Sequence, residues 1–212
     1  IAPIMAALSG LQPAIKVNLV HTGQHYDVAM NHQYFEALGI PSPDVNLEVG
    51  SGSHAIQTAD VMRRFEPVLD ELTPSAVLVV GDVNSTIACA LVASKKGIPV
   101  IHVEAGLRSF NRRMPEEINR VLTDHASDLL FVPTQTAADN LATEGITGDK
   151  VKWAGDVMLD ATLFYLDRAR KPEILDLPEG KPFFLCTIHR AENTDDRDRL
   201  SAIVRLLNEL SE

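Results

Sequence analysis

Short stretches of almost wholly apolar, β-prone residues recur along this chain. Each is followed by a polar or glycine-bearing corner and then by a helical pattern. The stretches lie at 17–21, 45–49, 76–80, 100–103, 129–132, 151–153 and 183–188. Strands that are apolar throughout, without alternation, are expected where both faces are covered, as in a parallel sheet with helices on both sides. Helical periodicity fits 28–38, 85–96, 116–126, 135–144, 156–170 and 200–210, and the residues from Ile1 onward also read as an apolar helix. Ile56, Ala59, Met62, Phe65, Val68 or Leu69, and Leu72 mark one face of a further helix, which Pro67 should kink or split. The expected fold class is α/β, a doubly wound, Rossmann-like parallel sheet.

The 212 residues are 45% apolar and 23% charged, an ordinary globular mixture. Nineteen Lys and Arg against 29 Asp and Glu leave a formal charge of −10. That balance argues against coating nucleic acid, which needs a basic surface, but permits a small anionic substrate held at a local positive site. No apolar run is long enough to span a membrane, and no signal peptide is visible. Cys89 and Cys186 lie in apolar contexts and read as reduced thiols of a cytoplasmic protein. Residues 171–182 carry Pro172, Pro178, Gly180 and Pro182 among charges and read as a linker. The organisation expected is a Rossmann-like domain over 1–170, that linker, and the opening of a second α/β domain over 183–212.

Ligands in open α/β sheets bind beyond the carboxyl ends of the strands. Four corners place titratable residues on that rim: His21-Thr22-Gly23-Gln24-His25, Gly81-Asp82, Glu104-Ala105-Gly106-Leu107-Arg108, and His189-Arg190-Ala191-Glu192-Asn193. Asp82 reads equally as the cap of the helix that follows or as a catalytic group. Glu104, at the end of an apolar strand, is costly to bury without a partner and points to function. Pro115-Glu116-Glu117 opens a helix, where proline and acids suit the first turn, so a structural role accounts well for one of the two glutamates. His189-Arg190 lies where a helix should begin, and backbone amides and a cation there can meet a phosphate together. Taken singly, His102 and the other histidines carry no reading.

The chain has no GxGxxG after a strand, no GxxxxGK[ST], no GxSxG elbow, and no His, Cys and carboxylate cluster with zinc spacing. The residues therefore suggest a carboxylate-rich site with no metal or other cofactor, completed by His189-Arg190, for acid/base work on a phosphorylated small molecule.

The series Thr22-Gly23-Gln24-His25, Gly81-Asp82 with Ser85-Thr86, His102-Val103-Glu104-Ala105-Gly106-Leu107-Arg108-Ser109, Pro115-Glu116-Glu117-Ile118-Asn119-Arg120 and Thr187-Ile188-His189-Arg190-Ala191-Glu192-Asn193 closely resembles the non-hydrolysing UDP-N-acetylglucosamine 2-epimerases, in order and spacing. The resemblance implies a glycosyltransferase-B-like pair of Rossmann-like halves with the site between them, a UDP-sugar substrate, and a homodimer. It implies reversible C2 epimerisation of UDP-N-acetylglucosamine through elimination of UDP and its re-addition to 2-acetamidoglucal. By motif, Asp82, Glu104 and Glu116 are the acid/base carboxylates and His189 contacts the diphosphate. Arg108, Arg190, Glu192, Asn193, Gln24 and His25 are substrate-binding. The alternatives are a hydrolysing 2-epimerase, a glycosyltransferase-B-type UDP-sugar transferase, or a catalytically inactive fragment. Members of the family open with a strand and a GTRPEAIK-like loop, so this chain is expected to be roughly the first half to three-fifths of such an enzyme, with an unpaired gap beside the central strands. Gln24-His25 is followed by Tyr26-Asp27 and not by the further Gln of members activated by a second UDP-N-acetylglucosamine, so such activation is not expected.

Overall fold

The computed structural model describes residues 1–12, 14–23, 35, 38–170, 183–189 and 191–211, with side chains at 191, 192 and 211 left aside. The expected helix at 28–38 falls almost wholly, and the expected linker at 171–182 entirely, outside the described residues. The chain divides into two compact units, Ile1–Ala169 and Arg170–Glu212.

In the first unit, α1 (Ala2–Ser9) begins with a proline in its first turn, where the missing N–H costs nothing. Strands β1 (Val20–His21) and β2 (Val45–Asn46) pair in parallel. They are shorter than the apolar stretches that contain them. Backbone bonds nonetheless continue the pairing from Asp44 N to Leu19 O through Val49 N to Thr22 O and Gly50 N to Gly23 O.

Helix α2 (His54–Leu72) starts at Ser53, whose hydroxyl accepts from Ile56 N, and runs unbroken through Pro67. The break expected at that proline does not occur. Pro67 lies on the exposed side, where water can take the carbonyl its ring leaves free. The buried stripe is Gln57, Val61, Phe65 and Leu69, four residues apart. Ile56, expected inside, is exposed.

Strands β3 (Val77–Val80), β4 (Val100–Val103), β5 (Leu129–Val132) and β6 (Val151–Trp153) form a second parallel sheet in that order. Helix α3 (Asn84–Lys95) links β3 to β4, α4 (Pro115–Ala126) links β4 to β5, α5 (Gln135–Thr143) links β5 to β6, and α6 (Val157–Tyr165) follows. The α/β class with parallel strands is as expected. Burial along the strands alternates more than their composition suggests: Val77 and Val79 are buried while Leu78 is exposed, and Leu130 and Val132 are buried while Leu129 and Phe131 are half-buried. Among the described residues no strand bridges β1 to β3, and the two sheets are separate. One core gathers Leu47, Val61, Phe65, Leu69, Val77, Val79, Ala88 and Val92 between α2, α3 and the strands, and a second gathers Ala105, Leu130, Val132, Ala137, Leu141 and Ile146. Cys89, inside α3, has its thiol pushed up to about 12 by burial.

In the second unit, α7 (Ala191–Thr194) and α8 (Arg197–Ser211) are helical, the latter capped by Asp196 Oδ1, which accepts from Asp198 N and Arg199 N. The strand expected at 183–188 is not formed. A strand exists through its partner, and no described strand pairs with this segment, whose Phe183, Phe184 and Leu185 stay exposed. Among the described residues no helix is long and apolar enough to cross a membrane.

Candidate active site

The corners after β3 and β4 adjoin, because these strands pair in register from Val77↔Val100 to Val80↔Val103. Gly81 turns the chain with φ 73°, and Asp82 follows. The carboxylate of Asp82 does not cap α3, whose N-cap is Val83. It is held by Arg120, with Nη2 2.5 Å from Oδ2, and is about one-third exposed. Asn119 Nδ2 donates to Asp82 O at 2.9 Å and to Asn84 Oδ1 at 3.2 Å. Asn84 in turn donates to Gln57 Oε1 at 2.7 Å and meets the His54 ring, so the first turn of α3 is locked to α2 and α4 by buried amides.

Glu104 leaves β4 with φ 70°, a left-handed conformation unusual for a residue with a β-carbon. Its carboxylate lies over Gly81: a β-carbon placed on Gly81 would stand 3.3 Å from Glu104 Oε2. Among the described residues Glu104 has no hydrogen-bonding partner. Burial, then the negative charges of Asp156 and Asp82, raise its pKa, with partial opposition from His102. A carboxyl whose proton is held more tightly than usual, beside a second carboxylate fixed by a cation, is suited to acid/base exchange.

Glu116 and Glu117 open α4 with divergent roles. Glu117 is buried and clamps the preceding loop, accepting from Ser109 N and Oγ at 2.9 Å each, Phe110 N at 2.8 Å and Arg120 Nη1 at 3.0 Å. Burial pushes its pKa up, but these donors outweigh burial and leave it below the ordinary value. Glu116 is half-buried, three and four residues before Asn119 and Arg120, and so shares the helix face that holds Asp82. The structural role expected for one of the pair thus belongs to Glu117.

Arg108 needs a correction. Read as substrate-binding, its side chain is 1% exposed and its donors are taken: Nη1 lies 2.7 Å from Asp124 Oδ2, and Nε and Nη2 form a fork on Glu144 at 2.7 Å each. Asp124, fully buried, and Glu144, one-quarter exposed, occupy this guanidinium. Burial alone would lower its pKa, but Glu144 and Asp124 raise it, and Arg108 in turn holds Glu144 below its usual range.

His189, exposed, and Asn193, half-buried, lie in the second unit and are described with it alone. Gln24, His25 and Arg190 lie outside the described residues, as does the side chain of Glu192. The sequence reading passed over Arg120, Asn119 and Asp156. Helical spacing from Glu116 was the available signal for the first two; Asp156 follows its strand by three residues and carried none. Among the described residues no three His, Cys, Asp or Glu side chains are grouped to hold a metal ion.

The UDP-N-acetylglucosamine 2-epimerase family model matches residues 10–212. The chain is 51% identical over 201 residues to the UDP-2,3-diacetamido-2,3-dideoxy-D-glucuronate 2-epimerase of Pseudomonas aeruginosa, covering 94% of this chain and 56% of that one. It is 48% identical over 201 residues to a UDP-N-acetylglucosamine 2-epimerase of Methanococcus maripaludis, covering 92% and 55% respectively. The crystal structure of the Methanocaldococcus jannaschii UDP-GlcNAc 2-epimerase in complex with UDP-GlcNAc and UDP superposes with a TM-score of 0.88 at 46% identity, over 98% of this chain and 58% of that chain. The chain therefore spans a little over half the length of these relatives. With the same fold and about half of the residues shared across nearly its whole extent, the chain belongs to the UDP-N-acetylglucosamine 2-epimerase family.

Proposed function

We propose that the whole protein interconverts UDP-N-acetylglucosamine and UDP-N-acetylmannosamine by inverting C2. The observation that carries this is the pair of adjoining carboxylates: Asp82, ion-paired to Arg120, and Glu104, held over Gly81 with a raised pKa. The C2 proton becomes acidic only as positive charge develops at C1. A carboxylate beside the ring stabilises that charge and takes the proton while the C1–O bond to UDP breaks, leaving 2-acetamidoglucal and UDP. UDP then adds back as a second carboxyl group protonates C2 from the other face. Asp82, Glu104 and Glu116 are the acid/base groups in this scheme. His189, supported by Arg190, Glu192 and Asn193, stabilises the departing diphosphate, and Gln24 and His25 contact the substrate. The scheme uses a Rossmann-like domain at 1–170, a linker at 171–182 and a second domain beginning at 183.

The test is incubation of the whole protein with UDP-N-acetylglucosamine in deuterated water. Deuterium at C2 of both recovered UDP-sugars, with no net release of UDP, is expected. Net UDP with free sugar, or no exchange at C2, overturns the proposal. A specific observation favours a second substrate. The Pseudomonas relative, at 51% identity, is named for a UDP-linked 2,3-diacetamido uronic acid. The same chemistry then applies at C2 of that sugar, and parallel assays of the two substrates decide between them.

A further inference from the structure

Two fully buried residues outside the proposed acid/base set tie both carboxylate corners to one helix. His102 and Asp124 have side chains with no exposure, and His102 Nδ1 lies 2.7 Å from Asp124 Oδ1. The other ring nitrogen, Nε2, is 2.9 Å from Gly81 O. A carbonyl can only accept, so Nε2 carries a hydrogen and donates it to the residue immediately before Asp82. The second oxygen of Asp124 accepts from Gly106 N at 3.1 Å and pairs with Arg108 Nη1 at 2.7 Å. Glu104 therefore lies between two anchors, His102 and Gly106, that end on the same carboxylate.

This arrangement accounts for the backbone of Glu104. A left-handed residue with a β-carbon persists only where its surroundings over-determine it, and such residues gather at functional sites. Gly106 continues the constraint. Its φ is 78°, Asn140 Nδ2 donates to its carbonyl at 3.0 Å, and a β-carbon there would stand 2.3 Å from Ala137 O. Helix α4, which bears Asp124, also bears Asn119 and Arg120, the residues that hold Asp82.

We propose that His102 and Asp124 are positioning residues: His102 fixes the place of Asp82 by donating to the Gly81 carbonyl, and Asp124 holds the far side of the Glu104 corner through Gly106 N. The proposal deepens the epimerase reading and rests on it for its kinetic readout. Two amide substitutions separate positioning from general support. In His102→Gln the side-chain amide nitrogen lies where Nε2 lies and keeps the bond to Gly81. In His102→Asn it lies where Nδ1 lies and keeps only the bond to Asp124. A misplacement of about 1 Å costs on the order of 100-fold in rate. His102→Asn is therefore expected to lower kcat by about 100-fold with KM changed less than about threefold, while His102→Gln retains most of kcat. Equal losses in the two variants, or a change confined to KM, overturn the proposal.

Amide spectra of the same variants read the geometry without turnover. The Gly81, Asp82 and Glu104 signals move in His102→Asn and stay in place in His102→Gln. If they move alike in both, the positioning role fails whatever the activity. If they behave as expected while the wild type turns over no UDP-sugar, the epimerase reading fails and the positioning role stands. Should neither variant fold, the wild-type chain labelled at histidine nitrogen still decides: a slowly exchanging Nε2–H proton on His102 is expected, and a bare Nε2 overturns the link to Gly81.

Discussion

Replacing Arg108 by Met separates a structural brace from a substrate contact. Arg108 and Asp124 form an ion pair in which both side chains are essentially without exposure, at 2.7 Å. Removing one partner of such a pair costs roughly 3–5 kcal/mol, because the remaining charge stays buried. Asp124 keeps donors from His102 and Gly106, which places this loss near the lower end, about 3 kcal/mol. The fork to Glu144 involves a carboxylate one-quarter exposed and adds about 1 kcal/mol after solvent screening. The sum, about 4 kcal/mol, lowers the midpoint of thermal unfolding on the order of 10 °C for a chain of this size. Urea and thermal unfolding of the chain measure it, with Glu144→Gln as the internal comparison at about 1 kcal/mol. A loss under about 1 kcal/mol for Arg108→Met, or unchanged stability with a raised KM for the UDP-sugar, would refute the reasoning and return Arg108 to the substrate.

Asp82→Asn and Glu104→Gln in the whole protein are each expected to slow the chemical step by about 100-fold or more, read as deuterium incorporation at C2; near wild-type exchange removes that residue from the mechanism. Glu104→Gln should also stabilise the fold at neutral pH. The folded state raises this carboxyl pKa, so its contribution is most favourable below the unfolded value of about 4.3 and is lost as pH rises through the folded one; denaturation between pH 4 and 8 checks whether the variant's advantage grows with pH. Glu117→Gln has the opposite sign. Its folded pKa is lowered, so its stabilisation is present above about 4.3 and is lost as pH falls through the folded value. The variant should be less stable than wild type at pH 7, and the gap should close in acid. A gap that persists undiminished at pH 2 would show that the clamp does not depend on the carboxylate charge.

The sheet rim was legible because apolar strands end where the polar corners begin. Asp82 and Glu104 both follow four-residue strands that the composition alone marks. The roles of neighbouring residues were less so. Glu116 and Glu117 are identical in type and adjacent, yet Glu117 is buried as a clamp while Glu116 is only half-buried, since a helix turns each successive residue by about 100°. Arg108 looks in sequence like a cation offered to a substrate. Its partners Asp124 and Glu144 lie 16 and 36 residues further on, and nothing local signals them. The segment 183–188 reads as a strand by propensity but is not one here.

By itself the sequence determined the α/β class, the positions of the strands at 100–103, 129–132 and 151–153, the motif spacing that marks the family, and the corners where acids gather. These follow from periodicity and composition, properties of neighbouring residues. Only the tertiary structure decided that Asp82 pairs with Arg120, that Glu104 lies over Gly81 in a left-handed conformation, and that one buried carboxylate, Asp124, anchors both sides of Glu104. Those contacts join residues 18 to 38 positions apart. The charge and hydrogen-bond state of each group depends on which distant side chain packing brings within 3 Å, which no local pattern encodes.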